Sequence, residues 1–373
     1  MPFNDFYRGR SVLVTGHTGF KGSWLCEWLL RLGACVTGLA LDPQADDTFY
    51  NQLGLGERIR CDIRGDARDF ETVWNAISEA KPDIIFHLAA QPLVRYSYAD
   101  PLGTFATNVS GTLNLLEAIR KFDRECAAVF VTTDKCYENR EWIYAYREVD
   151  SLGGHDPYSA SKACAEIAVA SFQKSFFSCG RQRVVTARAG NVIGGGDWAP
   201  DRVVPDCMRS YYSDRKMLIR NPLSTRPWQH VLEPLSGYLW LGVRISMLEG
   251  REDFDPYIAT GFNFGPHVQS NRSVEELVLE INKHVKLDWD KSVEVAKVHE
   301  ASRLSLSIDK AFHLLRWSPV WDFEKTVEET VNWYQVVKNR GSVLGVTQSQ
   351  IEDYCHDAAI ISNRWAIGQA LNS

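Results

Sequence analysis

Residues 11–33 read SVLVTGHTGFKGSWLCEWLLRLG, and the fold follows from how this stretch is parsed. SVLVT is a short apolar, β-branched run, the composition of a strand buried on both faces. WLCEWLLRLG is an apolar helix that ends on glycine. Between them Gly16, Gly19 and Gly22 stand in G-x-x-G-x-x-G spacing. Glycines there let the chain turn sharply and let a pyrophosphate approach the amides at a helix N-terminus. A glycine-rich turn without a ligand would show the same letters. Strand, loop and helix in register favour a dinucleotide site, with Phe20 inside it. His17 and Lys21 also fall in the loop, where each either modulates cofactor affinity or is merely solvated.

Working outward, strand and helix signals alternate. CVTGLALD, DIIFHLAA, AAVFVTT and RVVTARAG read as buried strands, while TNVSGTLNLLEAIRKF and DPYSASKACAEIAVASFQKSFF have helical periodicity. That alternation predicts an α/β fold: a Rossmann-type parallel sheet with a smaller, interleaved C-terminal substrate-binding domain. Residues 1–190 are expected to form the NAD-binding Rossmann domain. Residues 191–373 are expected to be mainly substrate-binding, with the apolar helix at 231–249 returning to the first domain. Glycine, proline, tryptophan and arginine crowd NVIGGGDWAPDRVVPD and IRNPLSTRPWQHVLEP, which read as ligand-facing loops.

Composition narrows the function classes. Of 373 residues, 45% are hydrophobic and 24% charged, which is globular rather than disordered composition. A formal charge of -6 gives no reason to expect nucleic acid. Nine cysteines, scattered and odd in number, show neither Cys-x-x-Cys nor zinc spacing, so reduced thiols and no metal are expected. No apolar run is long enough for a membrane span, and MPFNDFYRGR has no signal-peptide core. A cytoplasmic protein is the expectation.

Tyr158 and Lys162 are four apart and share one helix face. The spacing suits a redox pair in which the phenolic oxygen takes a sugar hydroxyl proton while hydride leaves the same carbon. A neighbouring ammonium and the nicotinamide charge would lower the tyrosine pKa. Thr133, closing the preceding strand, can hydrogen-bond the same reacting oxygen. Asp134 and Lys135 follow at the C-terminal end of a parallel-type strand, where open α/β sheets meet their ligands. They are either a charged pair opening a surface turn or an acid and an amine for a second reaction. Oxidising C4 of a hexose acidifies the C5 proton; a partly neutral amine could remove it while a carboxylic acid protonates the departing C6 hydroxyl. Asp42, closing the second strand, is placed to accept ribose hydroxyls and favour NAD over NADP, or else caps a turn. Asp62 is a candidate partner for the adenine amino group. Ile63, Leu88, Ala89 and Ala90 complete the expected cofactor contacts.

TGHTGFKG, HLAAQPLV, TTDKCYEN, DPYSASK, ARAGNVIGGGDW and RPWQHVLEPLSGYL together resemble the CDP-glucose 4,6-dehydratases, extended short-chain dehydrogenase/reductases. The resemblance runs through most of the first 240 residues and continues more weakly through FNFGP and HEASRL. It implies a lyase that turns CDP-D-glucose into CDP-4-dehydro-6-deoxy-D-glucose and regenerates NAD in each turnover, feeding O-antigen and other lipopolysaccharide sugars. It also implies a homodimer or homotetramer through helices near 100–120 and 158–178. Thr133, Tyr158 and Lys162 would be the redox triad and Asp134 the acid. Lys135 would stand near C5, where the dTDP-glucose and GDP-mannose dehydratases have glutamate.

On the substrate side Arg95 could touch the hexose, and Arg202, Arg226 and Arg303 are candidate phosphate or ribose contacts. Asn191, Trp228 and His230 could orient the diphosphate or base. Each has a plainer alternative: Trp228 plugs a domain junction, or Arg226 pairs with Glu233. The rival readings are a sugar-nucleotide 4-epimerase, which needs no acid–amine pair, and a silent NAD-binding regulator, which could lose Tyr158 or Lys162.

Overall fold

The computed structural model describes residues 1–177, 181–219, 221–248, 260–291 and 303–368. Cys179 and the start of HEASRL, residues 299–302, lie outside them. Seven strands form one sheet: β1 (Ser11–Thr15), β2 (Cys35–Ala40), β3 (Cys61–Arg64), β4 (Ile84–His87), β5 (Cys126–Val131), β6 (Gln182–Ala189) and β7 (Phe262–Phe264). Their order is β7-β6-β5-β4-β1-β2-β3. Every neighbouring pair is parallel. The chain leaves β1 towards β2 on one side and reaches β4 on the other. The crevice that opens where the order reverses lies beyond the ends of β1 and β4.

The principal helices are α1 (Phe20–Arg31), α2 (Phe70–Ala80), α3 (Gly111–Lys121), α4 (Pro157–Phe172), α5 (Val203–Ser213), α6 (Leu232–Ser246), α7 (Phe323–Lys338) and α8 (Val343–Ile360). Alternation along the strands explains the layering. Val12, Val14, Ile84, Phe86, Val129 and Val131 face one core, with α1, α6, α7 and α8. Leu13, Ile85, Ala128 and Phe130 face another, with α2, α3 and α4. Each fully buried aliphatic side chain stabilises the fold by roughly 1.5–3 kcal/mol, so a sheet covered on both faces needs near-continuous apolar strands. No helix among the described residues is long and apolar enough to cross a membrane.

Two features depart from the sequence reading. Phe262–Phe264 adds a strand to the sheet beside β6, from far beyond residue 190. The glycine run 194–196 is also no ligand-facing loop. Gly194, Gly195 and Gly196 are buried. A Cβ on Gly195 would fall 1.9 Å from Trp333 Cγ, and Trp24 Nε1 donates to the Gly195 carbonyl at 2.9 Å. Glycine is required because two indoles close over the backbone.

The C-terminal segment is fastened to α6 by Glu233, whose carboxylate accepts from the Trp321 amide at 2.7 Å and the Tyr354 hydroxyl at 2.7 Å. Arg226 is therefore not what this carboxylate binds. Burial pushes Glu233 up to about 7, against hydrogen bonds that lower it. A carboxyl whose folded pKa is raised contributes stability in full below its unfolded value of about 4.5 and loses it as pH rises through about 7. Thermal unfolding scans should show the midpoint falling across that window, and Glu233→Gln should flatten the slope. An equal slope in the variant would assign the pH dependence elsewhere.

Candidate active site

The dinucleotide cradle is built at the crevice. Gly16 has φ +76°, and a Cβ there would lie 2.7 Å from the Ala89 amide nitrogen at the end of β4. Leu88 and Ala89 are tied to β1 by Leu88 N–H to Thr15 O at 3.1 Å and Ala89 N–H to Thr15 Oγ1 at 3.2 Å. Gly22 is needed for packing, since a Cβ would come within 2.2 Å of the Gly16 carbonyl. Gly19 is different: its φ is -79°, and a Cβ would meet only the Gly16 carbonyl, at 3.3 Å. The protein's own packing does not demand glycine there, so the space in front of it does. Gly19 caps α1 without a side-chain hydrogen bond, and the first turn holds no acidic residue. The positive end of a twelve-residue helix thus faces the space that Gly19 leaves, which fits a pyrophosphate.

His17 does not face that space. Its side chain is fully buried, its Nε2 lies 2.9 Å from Asp62 Oδ1, and its ring fills the position a Cβ on Gly38 would take. Burial holds its pKa below the usual histidine range. Asp62 is correspondingly engaged, accepting also from Tyr50 Oη and Arg64 Nη2, each at 2.6 Å. An adenine amino group would have to compete with three donors for this carboxylate, which makes it a poor adenine partner. Asp42 is free of such ties: its side chain is 86% exposed, with Arg64 Nε 3.8 Å away. Ile63, between Asp62 and Arg64 on β3, turns to the other face and packs against the core of Leu13, Leu39 and Ile85.

The candidate redox residues Tyr158, Lys162 and Thr133 lie near one another at the end of β5. Asp156 caps α4 by accepting from the Ser159 amide at 2.9 Å, and Pro157 opens the first turn. Tyr158 and Lys162 then point to the end of β5, both buried. Thr133 stands beside the Tyr158 phenol and donates to Asp134 Oδ1 at 2.9 Å, so phenol, hydroxyl and carboxylate are gathered at the end of β5. Lys162 Nζ donates to the Val131 carbonyl at 3.3 Å. Burial draws Lys162 down to about 8, while Glu166 pulls the other way. The tyrosine departs from expectation: burial raises its pKa, and the Thr133 hydrogen bond only partly offsets this. Lowering it requires positive charge brought close to the phenol.

Beside this line, Lys135 Nζ reaches Asn191 Oδ1 at 3.5 Å, so two candidate residues from distant segments meet. Asp134 is almost fully buried in the short 3-10 turn Asp134–Cys136, which begins where β5 ends. Asn108 braces the approach from a π-helical turn, accepting from the Gln91 amide at 2.9 Å and donating to Ser161 Oγ at 2.8 Å.

The remaining substrate-side candidates separate. Arg202, paired with Asp197 at 2.8 Å, shares the electrostatic field of Tyr158. Arg95 reaches Asp201 at 3.3 Å. Arg303 is exposed, its amide donating to Glu141 Oε2 at 2.8 Å in the loop after the catalytic turn. Arg226 is only 5% exposed, in a strand paired with 271–273, and donates to the Thr225 carbonyl at 2.8 Å. Trp228 is the plug, donating to the Arg272 carbonyl at 3.0 Å from within the core. His230 is a correction: fully buried between Trp24 and Trp321, it faces indoles rather than a ligand. His87 is likewise a packed histidine, held between Thr15 and Thr112.

Sequence reasoning missed the support beneath the pair. Glu166, one turn beyond Lys162, accepts from Thr186 at 2.7 Å, from Arg188 at 2.7 Å and from Thr132. The signal was present, an acid at i+4 from the lysine and an arginine inside an apolar strand. Among the described residues no three His, Cys, Asp or Glu side chains gather as metal ligands, and the eight described cysteines are free.

Comparison with known proteins gives concordant matches. The GDP-mannose 4,6 dehydratase family profile matches residues 13–330. A CDP-glucose 4,6-dehydratase from Salmonella typhimurium is 44% identical over 359 residues, spanning 94% of this chain and 97% of that protein. A dTDP-glucose 4,6-dehydratase from Streptomyces antibioticus is 29% identical over 337 residues, spanning 87% and 92%. The crystal structure of dTDP-glucose 4,6-dehydratase from Bacillus anthracis in complex with NAD superposes with a TM-score of 0.72 at 22% identity, covering 89% of this chain and 99% of that one, a likeness of fold.

Removing one partner of a buried ion pair leaves the other uncompensated, a loss of about 3–5 kcal/mol. Urea unfolding of Glu166→Ala should show a loss of that order, with Glu166→Gln/Arg188→Met milder than the single change. A loss below about 1 kcal/mol for Glu166→Ala would refute the supporting role.

Proposed function

The chain belongs to the GDP-mannose 4,6 dehydratase family, and from that membership we propose that it converts CDP-D-glucose to CDP-4-dehydro-6-deoxy-D-glucose and water. The observation that carries this reading is the gathering of Tyr158, Thr133 and Asp134, with Thr133 donating to Asp134 at 2.9 Å and Lys135 beside them on Asn191. It joins a redox base to the acid and amine that an elimination needs.

NAD fits the cradle of Gly16–Gly22, Leu88–Ala90 and the exposed Asp42, and when bound supplies hydride acceptance from sugar C4 and hydride return to C6. Tyr158 takes the C4 hydroxyl proton. Burial otherwise keeps the phenol protonated against the nearby Arg202, so added charge from Lys162 and the bound cofactor makes it a base. Once C4 is a ketone, Lys135 removes the acidified C5 proton and Asp134 protonates the departing C6 hydroxyl. Lys135 then returns a proton to C5 as hydride reaches C6. The proton held by Tyr158 passes through Thr133 to Asp134, which restores both groups and accounts for the hydrogen lost in water. Arg202 and Arg95 supply charge for the diphosphate and hexose side. Arg303 is the outer contact, and Arg226, Trp228 and His230 shape the wall behind it.

The chain is proposed to work as a homodimer or homotetramer, with residues 191–373 forming most of the substrate side. Leu102, Leu113, Ile167 and Phe176 are exposed apolar residues on the helices expected at the interface, which supports that assembly.

CDP-D-glucose should show a much higher kcat/KM than the dTDP-, UDP- or GDP-linked hexoses; equal efficiency would remove the nucleotide assignment. Tyr158→Phe should keep NAD binding and lose at least about 100-fold in kcat, and wild-type turnover would reject Tyr158 as base. Asp134→Asn should accumulate NADH with a 4-keto-hexose while water loss falls sharply, seen by stopped-flow absorbance. Lys135→Ala should stop C5 hydrogen exchange in heavy water. Normal exchange in that variant would place the base elsewhere.

A further inference from the structure

Gly190 follows β6 directly and stands beside the turn that begins at Asp134, beyond the end of the neighbouring β5. It is buried, and its φ is not positive, so the backbone conformation gives no reason for glycine. A Cβ there would fall 3.0 Å from Asp134 Oδ2, 3.2 Å from Pro227 Cγ and 3.6 Å from Asp134 Cγ. Those contacts are tight but do not collide, unlike the 2.2 Å approach at Gly22. Packing alone therefore does not require the gap. Its two walls differ in character: a carboxylate oxygen on one side, and on the other a proline ring in the strand paired with 271–273. Asp134 Oδ1 accepts from the Thr133 hydroxyl at 2.9 Å, whereas Oδ2 accepts no hydrogen bond from the described residues. Asp134 is only 1% exposed, and a buried carboxylate oxygen seldom goes unused. The next residue, Asn191, holds Lys135 at 3.5 Å. Two consecutive residues after β6 thus face the acid and the amine in turn.

We propose that the gap at Gly190 is the subsite for the C6 hydroxymethyl group of the sugar, and that Gly190 selects hexoses whose C6 is a free primary alcohol. A hydroxyl oxygen placed where the Cβ would stand lies within hydrogen-bond range of Asp134 Oδ2, the reach that proton transfer to it needs. The methylene group meets the apolar wall of Pro227. Between those walls there is room for one heavy atom, so a substituent on O6 has no place. A C6 carboxylate would set a second anion against Asp134. A pentose has no C6 and gains nothing from the gap. The inference rests on the dehydratase reading of the site and adds what sets its sugar preference.

The test compares CDP-D-glucose, CDP-D-xylose and CDP-6-O-methyl-D-glucose by calorimetry, with NAD present and Tyr158→Phe in place to stop turnover. With Gly190 intact, the O6-methyl sugar should bind at least about tenfold more weakly than CDP-D-glucose. Adding Gly190→Ala should weaken CDP-D-glucose by about tenfold and leave CDP-D-xylose within about twofold. With Tyr158 restored, Gly190→Ala should dehydrate CDP-D-glucose about 100-fold more slowly. Binding of the O6-methyl sugar as tight as that of CDP-D-glucose would overturn the proposal, and needs no change at Gly190. Equal weakening of glucose and xylose in Gly190→Ala would also overturn it, because it marks a general packing role. Normal dehydration by Gly190→Ala would overturn this inference alone. Failure of the unaltered chain to dehydrate CDP-D-glucose would overturn the underlying reading and the inference together.

Discussion

Glu166 and Arg188 neutralise each other where α4 crosses the ends of β5 and β6, with side chains only 2% and 6% exposed. Neither ion is stable there alone, so each fixes the other, and the hydroxyls of Thr132 and Thr186 take up more of the carboxylate. Arg188 extends the tie by donating to Tyr137 Oη at 2.7 Å, which reaches Asn263 on β7 at 2.8 Å. Helix, sheet edge and catalytic turn are thereby locked in one register. Lys162 sits one turn above Glu166, and Thr133 follows Thr132. The candidate redox residues are thus placed by an element that this buried pair holds in register.

Above that support the pocket collects Lys21, Lys162 and Arg202 near Asp134, with Asp197 paired to Arg202 at 2.8 Å. Lys21, Lys162 and Arg202 all act on the surroundings of Tyr158 or of one another, and Asp134 is the acid set among them. Burial keeps the phenol protonated and draws Lys21 and Lys162 down to about 8. In the proposed mechanism, positive charge brought by the bound cofactor lets the phenol act as a base.

Much of this was legible in the letters. Gly16, Gly19 and Gly22 between a buried strand and an apolar helix announced the parallel sheet, and the i,i+4 relation of Tyr158 and Lys162 placed both on one face. What escaped was set by contacts distant in sequence. His17 reads as a loop residue until Gly38 and Asp62, on neighbouring strands, are seen to enclose it. Gly194–Gly196 reads as part of a ligand-facing loop, yet Trp24 and Trp333 close over its backbone. His230 lies in an arginine-rich stretch but is sealed between indoles, and β7 is too short and too remote to be assigned from periodicity. Glu166 was readable as a partner of Lys162 at helical spacing, but its burial, and so its importance, was not.

The central claim is that one site oxidises a sugar, removes water from it and returns the hydride. Incubation of the chain with CDP-D-glucose and NAD in heavy water, followed by mass spectrometry of the nucleotide sugar, tests it most directly. The account predicts a product lighter by one water that carries a single solvent deuterium at C5, with NAD restored at the end. A product of unchanged composition, as from a 4-epimerase, or loss of water with no deuterium at C5 would contradict it.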